Sequence, residues 1–136
     1  MQPGTETVQV SLTTLEAVAG SLSSIRFIKC DVEGHEHEVL IGAREVLRRS
    51  KPVLLIEVEQ RHRRRAVGET FDLLSRLGYD GYMLTAKGPR PLAEFDVQEH
   101  QLALVAADPS ATRPPTGYVN DFLFLPSGMP LPVPPG

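Results

Sequence analysis

Chemically active side chains are concentrated in two short stretches of this sequence. The first, Lys29–His37, reads KCDVEGHEH, and the second, Glu57–Gln60, reads EVEQ. Both follow runs with the composition of β-strands, and ligands of open α/β sheets bind outside the carboxyl ends of the strands. Carboxylates and imidazoles in such positions can orient a hydroxyl group and take its proton. The candidate catalytic residues are therefore Lys29, Asp31, Glu33, His35 and Glu57.

Lys29 and Asp31 are expected on the same face of their strand, because side chains alternate along a strand. A lysine inside a buried strand is costly unless it is paired, and Asp31, Glu33 and Glu57 are its candidate partners. Asp31 and Glu57 meet at one edge of the sheet if their strands are parallel neighbours. The alternative interpretation of these charges is a structural ion-pair network.

The two neighbouring histidines lack the spacing of a metal site. His35 and His37 are two residues apart, so on a helix they diverge by about 200° and cannot share an ion. We expect no metal, and for His35 either a general-base role or a place in a solvated helical turn. The run Arg61–Arg65 (RHRRR) either binds an anionic substrate group or forms a solvated loop. Cys30 is expected to be a small buried apolar residue.

The predicted secondary structure alternates between strands and helices. Strands are predicted at residues 25–30, 53–56, 79–85, 101–106 and 119–125, and helices over 13–18, about 36–49 and 67–77. Thr13 and Glu16 have the spacing of a capping box at the first helix. The uninterrupted apolar run at 53–56 is typical of a strand covered on both faces. This order predicts βαβ crossovers and an α/β sheet with a β-rich end.

Length, charge and composition limit the class of protein further. A chain of 136 residues without an internal repeat fits one globular domain, and its net charge of -3 argues against a nucleic-acid partner. No apolar run approaches the roughly 20 residues that span a bilayer, so no membrane partner is expected. The N-terminus lacks the pattern of a signal peptide. Because a single cysteine excludes an internal disulfide, the expected compartment is the reducing cytoplasm.

Four blocks, taken in order, resemble the FkbM family of S-adenosylmethionine-dependent methyltransferases. They are Thr14–Glu16 (TLE), Ile28–Glu36 (IKCDVEGHE), Val39–Ala43 (VLIGA) and Lys51–Glu57 (KPVLLIE). The family pattern has TLD, IK-x-D-x-EG-x-E, vL-x-GA and kP-x-ll-x-E at similar spacing, and Asn120–Pro126 (NDFLFLP) is similar to its closing strand. Glu16 stands where the family usually has Asp, and Cys30 where it usually has a β-branched residue.

The resemblance implies the C-terminal portion of a Rossmann-like class I methyltransferase sheet. Residues 25–31 correspond to its fourth strand and 53–57 to its fifth, with an antiparallel pair of strands at the end. The glycine-rich cofactor loop of such enzymes has no counterpart in this sequence. We therefore expect a partial methyltransferase domain over residues 1–125 and a Pro-rich tail over 126–136.

The implied reaction transfers a methyl group from S-adenosylmethionine to a hydroxyl of a sugar or secondary metabolite. By this resemblance, Asp31 lies where the acceptor meets the sulfonium of the cofactor. The alternative is a truncated, non-catalytic remnant that folds or self-associates without binding cofactor. A partial sheet leaves one strand edge open, so self-association through that edge is expected.

Overall fold

The computed structural model describes residue 4 and residues 6–132, and it contains one five-stranded sheet in the order β1-β2-β5-β3-β4. The strands are β1 (Phe27–Cys30), β2 (Val53–Glu57), β3 (Tyr79–Thr85), β4 (Gly88–Pro91) and β5 (Asp121–Pro126). β1 and β2 are parallel, whereas the other neighbouring pairs are antiparallel. The fold is α/β as predicted, but hydrogen-bonded parallel pairing is confined to one pair of strands instead of extending through the sheet.

Among the described residues, five short α-helices connect or flank these strands. They are α1 (Leu15–Ala19), α2 (Glu36–Ile41), α3 (Arg44–Ser50), α4 (Val67–Arg76) and α5 (Ala103–Ala107). Helices α2 and α3 carry the chain from β1 to β2, and α4 carries it from β2 to β3. In the part of the chain that the structure describes, we find no helix with the length and apolarity needed to span a membrane.

The first crossover is two helices, where the sequence pattern predicted one. The break falls at Gly42, whose carbonyl accepts a hydrogen bond from the backbone N–H of Glu16 at 3.1 Å. Thr14, not Thr13, caps α1 by accepting a hydrogen bond from the Ala17 N–H. The Glu16 carboxylate accepts from the N–H of Val46 in the first turn of α3, at 2.9 Å. The capping-box prediction was therefore wrong: Glu16 caps a different helix.

The core lies on one face of the sheet. Leu54, Ile56, Phe122 and Phe124 point to this face and are almost fully buried against residues of α2, α3 and α4. Along β2, burial alternates, and Leu55 on the opposite face is only half-buried. The expectation that this strand is covered on both faces was wrong.

The strand predicted at 101–106 is helical. Residues Gln98–Leu102 form a π-helical segment that continues into α5. Asp96 accepts a hydrogen bond from the Glu99 N–H at its start, and Ala-rich composition favours the helix. Gln101 is 1% exposed and donates to the carbonyls of Val58 and Val119, each at 2.8 Å, so this segment is fastened to the end of β2.

Candidate active site

The carboxyl ends of β1 and β2 bring two predicted residues together. Cys30 pairs with Ile56 in the parallel register, so Asp31 and Glu57 follow at adjacent positions. Both line a recess of about 10 Å³, whose other lining residues are Glu33, Gly34, Glu36, Glu59 and His62. A recess of this volume accommodates no more than about one water molecule.

Asp31 and Glu57 have different environments. Burial, followed by the negative charges of Asp31 and Asp121, raises the pKa of Glu57. The side-chain amide of Asn120 donates to Oε1 of Glu57 at 3.0 Å and fixes its orientation. Asp31 is solvent-exposed, so it is the more accessible proton acceptor of the two carboxylates.

Lys29 does not carry the buried charge that the sequence argument assumed. Its side chain is 58% exposed, and its Nζ lies 4.0 Å from Oδ2 of Asp31, which is 43% exposed. The face of β1 that holds Lys29 is open, so the lysine needs no partner to be tolerated there. Exposed pairs of this kind contribute about 0–1 kcal/mol. Neutralising a buried lysine is therefore not the role of Asp31.

A left-handed turn sets the position of the loop after Asp31. Glu33 has φ 45° and Gly34 has φ 100°, and a Cβ on Gly34 would lie 2.3 Å from the carbonyl oxygen of His62. Only glycine fits this close approach. The loop is thereby packed against the segment that follows β2, and Glu33 stays exposed at the rim of the recess.

A buried ion pair contacts this loop and connects it to the rest of the domain. Glu36 and Arg63 have side chains that are each 1% exposed, and Oε2 of Glu36 lies 3.6 Å from Nη1 of Arg63. The other oxygen of Glu36 accepts the Gly34 N–H at 2.9 Å, and Nη2 of Arg63 donates to the Thr70 hydroxyl at 2.7 Å. Burial lowers the pKa of Arg63, and the charge of Glu36 opposes this effect. The pair connects the loop, the segment after β2 and α4.

Glu59 is held as a carboxylate on the far side of the recess. The Tyr118 hydroxyl donates to its Oε2, as does Nε of Arg61 at 2.7 Å. Burial alone would raise the pKa of Glu59, but these hydrogen bonds outweigh burial and lower it. Nε2 of His62 lies 3.6 Å from the second oxygen of Glu59. Glu59 therefore places a negative charge beside the His62 imidazole.

The structure does not bring His35 into the recess. His35 precedes α2, is exposed, and lines a separate depression with Glu38 and Arg64.

His37 is buried, and its Nδ1 lies 3.2 Å from the Thr70 hydroxyl. Burial and then the charge of Arg65 lower the pKa of His37. Among residues 4 and 6–132, we find no cluster of metal-ligating side chains.

Most arginines of the run 61–65 form ion pairs with acidic side chains of the same domain. Arg61 pairs with Glu59, Arg63 with Glu36, and Arg65 with Glu69 at 2.6 Å. Alternate arginines thus fasten the segment after β2, which weakens the anion-binding interpretation.

Cys30 is 4% exposed, and burial raises the pKa of its thiol to about 11. It is therefore a buried thiol, as predicted, and not an activated nucleophile.

The sequence interpretation missed Glu59 and His62, which line the recess, and Tyr118 and Asn120, which hydrogen-bond to its carboxylates. Glu59 had a usable signal, because alternation places it on the same side as Glu57. Tyr118 and Asn120 arrive from a segment about 60 residues away along the chain, so no local pattern indicated them.

A comparison of the sequence with models of protein families identifies the family of this chain. The model described as "Methyltransferase FkbM domain" matches residues 2–80, which is more than half of the chain. The chain belongs to the FkbM methyltransferase family. The resemblance drawn from the four sequence blocks is therefore confirmed. No curated protein and no solved structure matches the chain. Membership in the FkbM family indicates a methyltransferase that uses a methyl-donor cofactor. All the residues that line the recess lie within the matched span.

Proposed function

We propose that this FkbM domain transfers a methyl group from S-adenosylmethionine to a hydroxyl of a small molecule, such as a sugar or secondary metabolite. The observation that carries the proposal is the convergence of Asp31, Glu57 and His62 at the carboxyl ends of two parallel strands. This is the place where α/β sheets bind their ligands.

The strand order supports a Rossmann-like assignment. β1, β2 and β3 run in one direction, and β5 lies antiparallel between β2 and β3. The family resemblance implies a fourth and a fifth strand followed by an antiparallel pair, and β3 and β5 form such a pair. The division into a partial methyltransferase domain over residues 1–125 and a Pro-rich tail over 126–136 stays a prediction.

In the proposed reaction, Asp31 orients the acceptor hydroxyl and takes its proton. Methyl transfer is an in-line displacement, so its main requirement is a hydroxyl held in attack geometry. Asp31 is suited to this task because it is exposed at the rim and has a fixed neighbour in Glu57. His62, which lines the same recess beside Glu59, is the second candidate proton acceptor.

The recess at Asp31 does not hold the whole cofactor. S-adenosylmethionine would supply an electrophilic methyl group, but small-molecule sites usually enclose about 300–1,000 Å³. The recess at Asp31 has about 10 Å³. The proposal therefore assigns to these residues the acceptor side of the reaction alone.

The proposal is tested by following a tritiated methyl group. The methyltransferase that carries these residues is incubated with labelled S-adenosylmethionine and a panel of monosaccharides and small alcohols. We expect label in a methyl ether. Transfer to nitrogen or carbon, or no transfer to any member of the panel, would contradict the proposal, and the second result would favour a non-catalytic remnant.

The two histidines provide a sharper comparison in the same assay. His62→Gln is expected to reduce turnover, because it removes a proton acceptor in the recess. If His35 is the base instead, His35→Gln shows the loss and His62→Gln retains turnover.

A further inference from the structure

A pocket separate from the recess lies where β3 ends. It has a volume of about 470 Å³, within the about 300–1,000 Å³ that is usual for small-molecule sites. Its walls come from the end of β3, the π-helical segment with α5, and the loop before β5, and its lining includes Thr85, Glu99, His100, Leu104, Thr116 and Tyr118. The pocket, unlike the recess, therefore has room for the body of an acceptor.

The pocket and the recess lie at the same edge of the sheet. One row of paired residues crosses four strands: Cys30, Ile56, Phe122 and Met83. Asp31 comes one residue after this row and Thr85 two residues after it, on strands that run in the same direction. Three strand spacings, or about 14 Å, separate the two residues. An acceptor that fills the pocket and reaches Asp31 is therefore longer than a single sugar ring.

Tyr118 connects the pocket to the recess. It lines the pocket, and its hydroxyl donates to Oε2 of Glu59, which lines the recess. Gln101 joins the π-helical wall to the ends of β2 and β5, since it donates to the carbonyls of Val58 and Val119 at 2.8 Å each. These contacts hold the walls of the pocket in place relative to the recess, so the pocket is preformed.

His100 has a fixed ring in the wall of this pocket. It belongs to the π-helical segment Gln98–Leu102, and such segments are rare and frequent at functional sites. The ring stacks on Phe95 with 5.5 Å between centroids, and Nδ1 lies 3.0 Å from both the backbone N and the carbonyl oxygen of Asp96. That carbonyl already accepts the His100 backbone N–H. We therefore assign Nδ1 as the acceptor of the Asp96 N–H, which leaves Nε2–H as a donor.

The chemistry of the walls favours an uncharged ligand that is rich in hydroxyl groups. Among the described residues that line the pocket, none is lysine or arginine, so a phosphate or carboxylate bound there would have no cation to pair with. The Glu99 carboxylate, the Thr116 hydroxyl and the His100 ring can all form hydrogen bonds with hydroxyl groups. Leu104 and the Tyr118 ring provide apolar contacts for the carbon atoms of a sugar ring.

We propose that this pocket holds the body of the acceptor, and that the acceptor is an extended, uncharged oligosaccharide or other glycoside with its terminal hydroxyl at Asp31. The inference rests on the proposed function, which assigns the reacting hydroxyl to Asp31. The residues of the pocket lie outside the span 2–80 that matches the family model, whereas those of the recess lie within it. This division is expected if the family shares the reaction and the pocket selects the acceptor of this chain.

Calorimetric titration of this chain, without cofactor, tests the proposal. The probes are maltotriose, cellotriose and chitotriose, with glucose and N-acetylglucosamine as their single-ring counterparts. We expect at least one trisaccharide to bind with a dissociation constant at least about tenfold below that of its monosaccharide, because only the longer molecule gains contacts along the edge.

A matched pair of variants assigns the binding to the pocket. Thr116→Trp fills the pocket and should raise the dissociation constant of the trisaccharide at least about tenfold. Thr112→Trp makes the same change at an exposed threonine that does not line the pocket, and it should bind like the unaltered chain. Both threonines are exposed, so an unchanged denaturation midpoint confirms that each variant folds.

Amide chemical shifts locate the bound trisaccharide without any variant. The amides of Leu104 and Gly117 should shift during titration of the unaltered chain, and those of α3 should not. The proposal would be overturned by binding of none of the three trisaccharides, by equal affinity for a trisaccharide and its monosaccharide, by shifts confined to other residues, or by unchanged binding in Thr116→Trp. Methyl transfer without trisaccharide binding contradicts this inference, whereas trisaccharide binding without methyl transfer contradicts the proposed function.

Discussion

Replacing Arg63 with methionine is expected to cost this domain much of its stability. The side chains of Arg63 and Glu36 are each 1% exposed, so the variant leaves the Glu36 carboxylate buried and without its cation. Stranding one member of a buried ion pair costs about 3–5 kcal/mol. The Thr70 hydroxyl also loses its guanidinium donor. The pair formed by Lys29 and Asp31 provides the contrast, because Lys29→Met disrupts an exposed pair worth about 0–1 kcal/mol.

Urea unfolding, followed by circular dichroism, measures the difference between these variants. With an m-value near 2 kcal/mol/M, a loss of about 4 kcal/mol lowers the midpoint by about 2 M. Lys29→Met should lower it by less than about 0.5 M. Adding Glu36→Gln to Arg63→Met removes the stranded charge and should recover part of the loss. A midpoint for Arg63→Met that matches that of Lys29→Met would refute the assignment of this pair as the buried support of the loop.

Three further predictions concern the recess and the binding of the cofactor. The fold raises the pKa of Glu57, so folding is favoured when this carboxyl is protonated. The resulting stability is complete below the unfolded-state pKa of about 4.5 and is lost as pH rises through the folded-state pKa. In Glu57→Gln, the free energy of unfolding measured across pH should no longer show this loss. Gly34→Ala should lower the free energy of unfolding by at least about 1–3 kcal/mol, because Gly34 has a left-handed φ and an added Cβ would clash with the His62 carbonyl. The loss should be smaller for Gly88→Ala, because Gly88 has φ 106° but open space around it. In calorimetry, the chain should bind S-adenosylmethionine very weakly, since the glycine-rich loop that holds the cofactor in such enzymes has no counterpart in this sequence. A micromolar dissociation constant would contradict that expectation.

The sequence predicted the parts of the fold that depend on local pattern. The strands near 27–30 and 53–57, the helix at 67–76 and the parallel register that joins Asp31 to Glu57 all follow from periodicity and connection length. The segment 101–106 was predicted as a strand because it is a short apolar run, which periodicity does not distinguish from a helix. Gln101 anchors the helical segment to the rest of the fold through hydrogen bonds to the carbonyls of Val58 and Val119, which no local pattern indicates.

In the candidate site too, residues that follow a local pattern were predicted and residues brought in by long-range contacts were not. Asp31, Glu33 and Glu57 were identified because they follow strands, and the structure places all three at one recess. The burial of Lys29 was mispredicted because its strand was treated as buried, whereas the face that holds Lys29 is exposed. Tyr118 could not be found from local sequence, since its contact with Glu59 spans 59 residues.

The central claim is that the carboxylates at the ends of β1 and β2 act on the acceptor hydroxyl. Asp31→Asn preserves size and most hydrogen bonding but removes the ability to accept a proton. Asp72→Asn makes the same change at an exposed position on α4, away from the recess.

The most direct measurement is turnover per folded molecule in the methyltransferase that carries these residues, with the folded fraction taken from the denaturation midpoint. Asp31→Asn should lower this turnover by about 10²–10⁴, the range of general acid–base catalysis, while Asp72→Asn leaves it unchanged. Normal turnover per folded molecule in Asp31→Asn would contradict the account.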